Sequence, residues 1–235
     1  MNQGAFTYTI KSDGQKLPQK YVMSRLEVVA QANRLPYAEL IFRDGDLAKE
    51  KWELSDSAFF KPGAKVDIQL RRGSNPDAKV FQGIVVRHRI GATRAGTQLT
   101  ITLKSQAYTL ASVRRTKVFR KKTDDKIMRD LIKQGGLKVG QMGTTTFEHE
   151  EMVQLNCSNW DFLLARAEAN GFWVTLEHDT VHVIDPSPKG VSKTTLKPST
   201  ATIMAIDMEV DIRHQAKALT SRSWDLKKQE LGKEQ

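Results

Sequence analysis

The stretch VQLNCSNWDFLLARAEANGFWVTLEHDTVHVID, Val153 to Asp185, constrains the fold most, because it specifies three elements in a fixed order. Met152 to Asn156 reads as an extended lead-in. Ser158 follows as a helix N-cap, and Asp161 three residues later stands at the capping-box position normally held by Glu or Gln. Trp160, Leu163, Leu164 and Ala167 fall at i, i+3, i+4 and i+7, which is one face of a helix. Asn170-Gly171 ends that helix with residues that tolerate the left-handed conformation. Phe172 to Glu177 and Thr180 to Ile184 then form a β-hairpin around His178-Asp179. The unit is strand, capped helix, hairpin. It is a packing module without a reactive centre.

Upstream, residues 1–110 read as β structure. Phe6 to Ile10, Met23 to Ala32 and Tyr37 to Phe42 are strand candidates, the last ended by the turn dipeptide Asp44-Gly45. The segment Leu47 to Phe60 carries no clear period, and Lys61-Pro62-Gly63 is a turn. Val66, Ile68 and Leu70 alternate with Lys65, Asp67 and Gln69, as in a strand with one wet face. After a loop over Arg71 to Asp77, Val80 to Ile90 is extended, with Gly83 marking a bulge or a close approach. Leu99, Ile101 and Leu103 alternate in the next strand. Strands at this spacing predict a small antiparallel barrel or sandwich and disfavour a parallel doubly wound sheet.

Residues 111–187 change character. Arg114, Arg115, Lys117, Arg120, Lys121 and Lys122 form the densest basic run and read as a solvated connector or a basic contact patch. Thr123 caps a helix from Asp124 to about Gln134, with Ile127, Met128, Leu131 and Ile132 as its apolar face and Gly135-Gly136 as its stop. Gly140 to Thr146 reads as a linker. This middle segment is a small α+β domain of two helices and a hairpin. After a loop over Ser187 to Ser199, Ile203 to Ile212 alternates strongly, and Ala218 to Trp224 is its candidate partner. Two strands cannot enclose a core by themselves. They either complete the first barrel or begin a second, and residues 188–235 are read as the start of a second barrel followed by a polar tail. The fold class expected is α+β, rich in β.

The formal net charge of +10 favours an acidic partner, nucleic acid or an anionic membrane, and charge alone does not choose among them. The basic run lacks the interleaved aromatics, GxxG loop or helix-turn-helix of nucleic-acid modules. No apolar run reaches the length of a membrane span, and no signal peptide is seen at the N-terminus. The single cysteine, Cys157, excludes an internal disulfide, fits a reducing compartment and is expected to be a small buried apolar residue. Glu148-His149-Glu150-Glu151 has no second His/Cys group to close a metal site, and His178 and His182 are expected to be exposed at a hairpin tip. No nucleophile elbow, P-loop or dinucleotide fingerprint occurs. Neither an enzyme nor a cofactor is expected.

Three motifs in order resemble the VgrG family of type VI secretion spike proteins and the related hub proteins (late control D-like) of contractile phage tails and extracellular injection systems. FQGIVVRHRIG follows the strand KVDIQL; LASVRRTKVFRKKTDDKIMRDLIKQGGL joins a basic connector to a short helix; VQLNCSNWDFLLARAEANGFWV joins strand, Trp/Asp-Phe-Leu helix and aromatic strand. Phe172-Trp173 stands where the family has a tyrosine-rich pair, and the connector is more basic than in the family. Past SRSWDLKKQ the family continues into the rest of a second barrel, an OB-like domain and a β-helical spike. The resemblance implies packing roles for Phe81, Gly83, Phe119, Ile127, Leu131, Trp160, Phe162, Leu163 and Gly171. It implies a homotrimer whose barrels match a hexameric tail tube protein, with spike and baseplate components and effector cargo as further partners. Assembly would take place in the bacterial cytoplasm, before export with the particle. A basic nucleic-acid-binding β-barrel protein is the alternative.

Overall fold

The computed structural model describes residues 6–46, 49–93 and 96–187, together with 207–211, 213, 218, 220, 224–225 and 228–231. The chain divides into two compact units, Met1–Ser187 and Pro188–Gln235.

The first unit opens with a seven-stranded antiparallel sheet. Its strands are β1 (Phe6–Ser12), β2 (Gln15–Lys16), β3 (Val22–Val29), β4 (Tyr37–Arg43), β5 (Lys65–Arg72), β6 (Ala78–Thr93) and β7 (Gly96–Ser105), in the spatial order β2-β1-β5-β6-β7-β4-β3. Alternation decides which face is dry. Ile10, Leu40, Phe42, Val66, Ile68, Phe81, Val85, Leu99, Ile101 and Leu103 are all buried in one cluster, while the residues between them are more exposed. Register places these side chains level: Leu40 lies opposite Ile101, and Ile68 opposite Phe81. Each such side chain removed from water contributes roughly 1.5–3 kcal/mol before entropy is counted. The segment without a clear period is the cover of this core. It buries Leu54 and Phe60, the latter in a short 3₁₀ turn, Ala58–Phe60. The Asp44 carboxylate holds the segment down by accepting from Leu54 N (3.0 Å), Ser55 N (2.7 Å) and Ser55 Oγ (2.6 Å).

A closed barrel is not seen among the described residues. The strand order ends at β2 and β3, and no pairing joins them. The connection from β2 to β3 runs through Leu17 and Pro18, and a proline cannot donate to a ladder. Gly83 marks a close approach and not a bulge. It pairs with Ser105, and a Cβ built on it would lie 2.1 Å from the Lys104 carbonyl oxygen. The register shifts fall on either side of it, at Ile68/Gln69 and Val85/Arg87.

The remainder of the unit holds a short helix α1 (Tyr108–Ala111), β8 (Arg114–Thr123), α2 (Asp124–Gln134), β9 (Lys138–Met142), β10 (Glu148–Ser158), α3 (Asn159–Ala169), β11 (Trp173–Glu177) and β12 (Thr180–Ile184). Strands β8 and β10 pair as a two-stranded antiparallel ribbon, and β11, β12 and β9 form a three-stranded sheet. A second buried cluster lies among them, built from Leu110, Phe119, Ile127, Met128, Leu131, Ile132, Trp160, Phe162, Leu163, Ala167, Val174, Val181 and Val183.

Three expectations are corrected here. The basic connector is a strand, because Glu148–Ser158 supplies a ladder along it and Phe119 turns inward to stack on Phe162 at 5.8 Å. The expected linker from Gly140 begins inside β9, which runs parallel to β12. A glycine is needed there, since a Cβ on Gly140 would lie 2.5 Å from the His182 ring. His178 and His182 are half-buried, and His182 Nδ1 accepts from Gln141 N at 3.0 Å.

The loop after β3 is fastened to β11 by one residue. Asn33 N donates to Val174 O (2.7 Å), and Val174 N donates to Asn33 Oδ1 (2.7 Å). In the second unit, Trp224–Asp225 pairs with Glu230–Leu231 as two short strands, β13 and β14. Of the expected strand Ile203 to Ile212, Asp207 to Asp211 carry no regular structure. Ile203, Ile206 and Ile212 lie outside the described residues, as do most of Ala218 to Trp224.

Candidate contact surface

The basic run occupies the first nine residues of β8. In the ribbon, Glu151 lies opposite Arg120, Val153 opposite Val118 and Gln154 opposite Lys117. Arg120 Nε reaches Glu151 Oε1 at 3.0 Å, and Lys122 pairs with Asp130 of α2. Lys117 Nζ sits 4.8 Å from the centre of the Phe119 ring. Arg114, Arg115, Lys117 and Lys121 are exposed and have no ion-pair partner among the described residues. The run is therefore an accessible edge of positive charge whose backbone is held extended.

One face of this ribbon is covered by the helices. Phe119 and Met152, directly opposite each other, pack into the second cluster. The other face carries Val118, Val153 and Leu155, all exposed. The ladder keeps one register from Glu148 opposite Thr123 to Gln154 opposite Lys117 and shifts between Gln154 and Cys157, where Asn156 stands at φ +42°; Lys121, at φ +49°, lies within the unshifted part.

The ribbon is braced by a polar cluster that sequence reasoning does not single out. Asp124, the first residue of α2, is buried. Its Oδ1 lies 3.1 Å from His149 Nε2 and 3.7 Å from Arg166 Nη1, and its Oδ2 accepts from Asn170 Nδ2 at 2.9 Å. Three elements thus meet on one carboxylate at a helix N-terminus, where negative charge is favoured. Asp125 beside it accepts from Thr123 Oγ1 and Thr145 Oγ1. Burial pushes the Asp125 carboxyl up, but these hydrogen bonds and the nearby Arg129 outweigh it and hold the group below its ordinary range. Asp124 and Asp125 make the first turn of α2 acidic, a local signal that does not reveal their partners.

The residues read as packing positions lie as follows. Phe81 is in the first core; Phe119, Ile127, Leu131, Trp160, Phe162 and Leu163 are in the second; Gly83 sits between strands and Gly171 stops α3 at φ +67°. Ser158 caps α3, its Oγ accepting from Asp161 N at 3.0 Å and donating to Asp161 Oδ2 at 2.6 Å. Cys157 is half-buried against the second cluster. A cavity of about 220 Å³ opens between the sheet and the β11–β12 turn, lined by Val28, Val80, Phe81, Leu176 and His178. Among the described residues no group of three or more His, Cys, Asp or Glu could hold a metal ion, and no helix is long and apolar enough to cross a membrane.

The fold is shared with solved tail proteins. The tail protein from Neisseria meningitidis MC58 superposes with a TM-score of 0.63 at 14% identity, covering 90% of this chain and 61% of that one. The 43 kDa tail protein of prophage MuSo2 from Shewanella oneidensis gives 0.56 at 13% identity, covering 76% and 53%. A chain of the Francisella PdpA-VgrG complex gives 0.52 at 14% identity, covering 83% and 32%. This chain therefore spans about half to three fifths of the two tail proteins. No curated protein sequence matches it. A family profile matches residues 2–235, and the chain belongs to the Alg8 N-terminal domain family.

Proposed function

We propose that the chain is the hub portion of a contractile injection machine, a structural adaptor between a hexameric tail tube and a trimeric spike. The observation that carries this reading is the superposition on a tail protein over 90% of the chain. The order of the three sequence motifs supports it independently. Three copies, each bringing a tube-like β domain and a second one begun beyond residue 187, would present six domains to six tube subunits. Such a ring repeats one heterologous interface around an axis. The role requires no catalysis. Assembly would occur in the bacterial cytoplasm and the product would leave with the particle, with spike, baseplate and effector cargo as partners. The basic edge of β8 would serve as a contact surface within that assembly.

Sedimentation of the chain with preformed rings of the tail tube protein from the same particle tests the reading. Three chains are expected to travel with each hexamer, and independent sedimentation at micromolar concentration would contradict it. The nucleic-acid alternative rests on the +10 charge alone. It predicts tight filter binding with a steep salt slope.

A further inference from the structure

The β8–β10 ribbon has two free edges of opposite charge. Among the described residues β8 pairs only with β10 and β10 only with β8, so each strand presents one outer row of unpaired N–H and C=O groups. The β8 edge carries Arg114, Arg115, Lys117, Arg120 and Lys121; the β10 edge carries Glu148, Glu150 and Glu151. Of these, Arg120 and Glu151 are matched to each other, and the rest have no ion-pair partner among the described residues. Resting on the hub reading, we propose that the ribbon is the seam between copies: the outer edge of β8 in one chain takes the outer edge of β10 from a second copy, head to tail.

Three observations favour a second copy over any other occupant. The first is charge complementarity already realised once. Inside the chain β8 selects an acidic strand in antiparallel register, with Glu151 opposite Arg120 and Glu148 opposite Thr123 at the basic strand's end. The outer edge of β8 offers the same basic strand to an identical acidic one.

The second is the pattern of exclusion. Charged side chains on an edge normally prevent strand addition. Here the two edges carry opposite signs, so β8–β8 and β10–β10 contacts set like charges against each other, while β8–β10 contacts do not. That pattern permits head-to-tail addition and blocks the two-fold alternatives. A heterologous contact of this kind closes into a ring or propagates.

The third is the uncovered apolar face. Val118 and Val153, directly opposed, are 45% and 48% exposed, and Leu155 is 72% exposed. Continuing the ribbon with a second copy sets another Val118–Val153 pair beside the first and extends this face into a stripe. The register shift between Gln154 and Cys157 ends the continuous ladder, which runs over Lys117–Thr123 on one side and Glu148–Gln154 on the other. A nucleic-acid strand would match the cations but not the backbone edge or the valines.

The test is a charge-swap cycle read by light scattering, with circular dichroism confirming each fold. Arg114→Glu with Lys117→Glu makes both edges acidic, and Glu148→Lys with Glu150→Lys makes both basic. None of these four residues has an ion-pair partner among the described residues, so the Arg120–Glu151 bond inside the chain is kept. Each double variant is expected to fall to the monomer mass, a threefold loss, and the chain carrying all four substitutions is expected to recover the trimer. The milder Arg114→Gln with Lys117→Gln pair should raise the concentration needed for assembly at least tenfold. A wild-type trimer that survives both double variants, or variants not rescued in combination, would overturn the seam while leaving the hub reading standing. A wild-type chain that is monomeric throughout would overturn both.

Discussion

His149 Nε2 lies 3.1 Å from Asp124 Oδ1, and this contact fixes the ribbon to the helical layer. His149 comes from β10, Asp124 opens α2, and Arg166 and Asn170 of α3 close on the same carboxylate. Removing that carboxylate leaves Arg166, largely buried, without its anion. Asp124→Ala is therefore expected to cost about 1.5–3 kcal/mol, the range for hydrogen bonds to a charged group, measured as a shift in urea midpoint. Asp124→Asn should cost less, because it keeps an acceptor oxygen. Equal and negligible losses in both would show that the cluster does not brace the fold.

Asp125 gives a pH dependence with a definite sign. Burial disfavours its charge, yet Thr123, Thr145 and Arg129 together hold its carboxyl below the ordinary value. A group depressed in the folded state stabilises above its unfolded value, near pH 4, and that contribution is lost as pH falls through the lower folded value. Thr145→Val should move the acid-unfolding midpoint to higher pH with little effect at pH 7 beyond the loss of the two hydrogen bonds that the Thr145 hydroxyl makes with Asp125. An unchanged midpoint would contradict the assignment.

Gly83→Ala tests the close approach of β6 to β7. With the Lys104 carbonyl oxygen 2.1 Å from the new Cβ, backbone must shift, and overpacking of this kind costs about 1–3 kcal/mol. Thermal unfolding should show the loss. A neutral result would mean that the two strands separate freely at this point.

Ser158→Ala removes the side-chain acceptor for Asp161 N and should cost about 1 kcal/mol. Ser158→Asp should restore most of it, since either side chain can accept at the N-cap. Urea unfolding of the pair separates capping from a general effect of substitution.

Local signals made much of the fold legible in the sequence. The helix Asp124–Gln134 has the expected bounds, the β11–β12 hairpin turns at His178-Asp179, and Ser158 caps where spacing places it. What stayed hidden depends on partners far along the chain. Strand β8 has too many cations to alternate visibly, and only β10, some thirty residues later, makes it a strand. Gly140 looked like a linker residue because its neighbour, the His182 ring, arrives from β12. Asp124, His149, Arg166 and Asn170 share no period, so nothing local joins them. Asn33 and Val174 exchange two hydrogen bonds across 141 residues. Strand spacing predicts a barrel or a sandwich, and it does not fix whether edges meet.

The central claim is that copies of this chain assemble around an axis. Its most direct test is the solution mass of the wild-type chain by light scattering across a concentration series. The account predicts convergence on three times the 26.5 kDa chain mass as concentration rises. A mass that stays at 26.5 kDa, with native circular dichroism, at every concentration would contradict it.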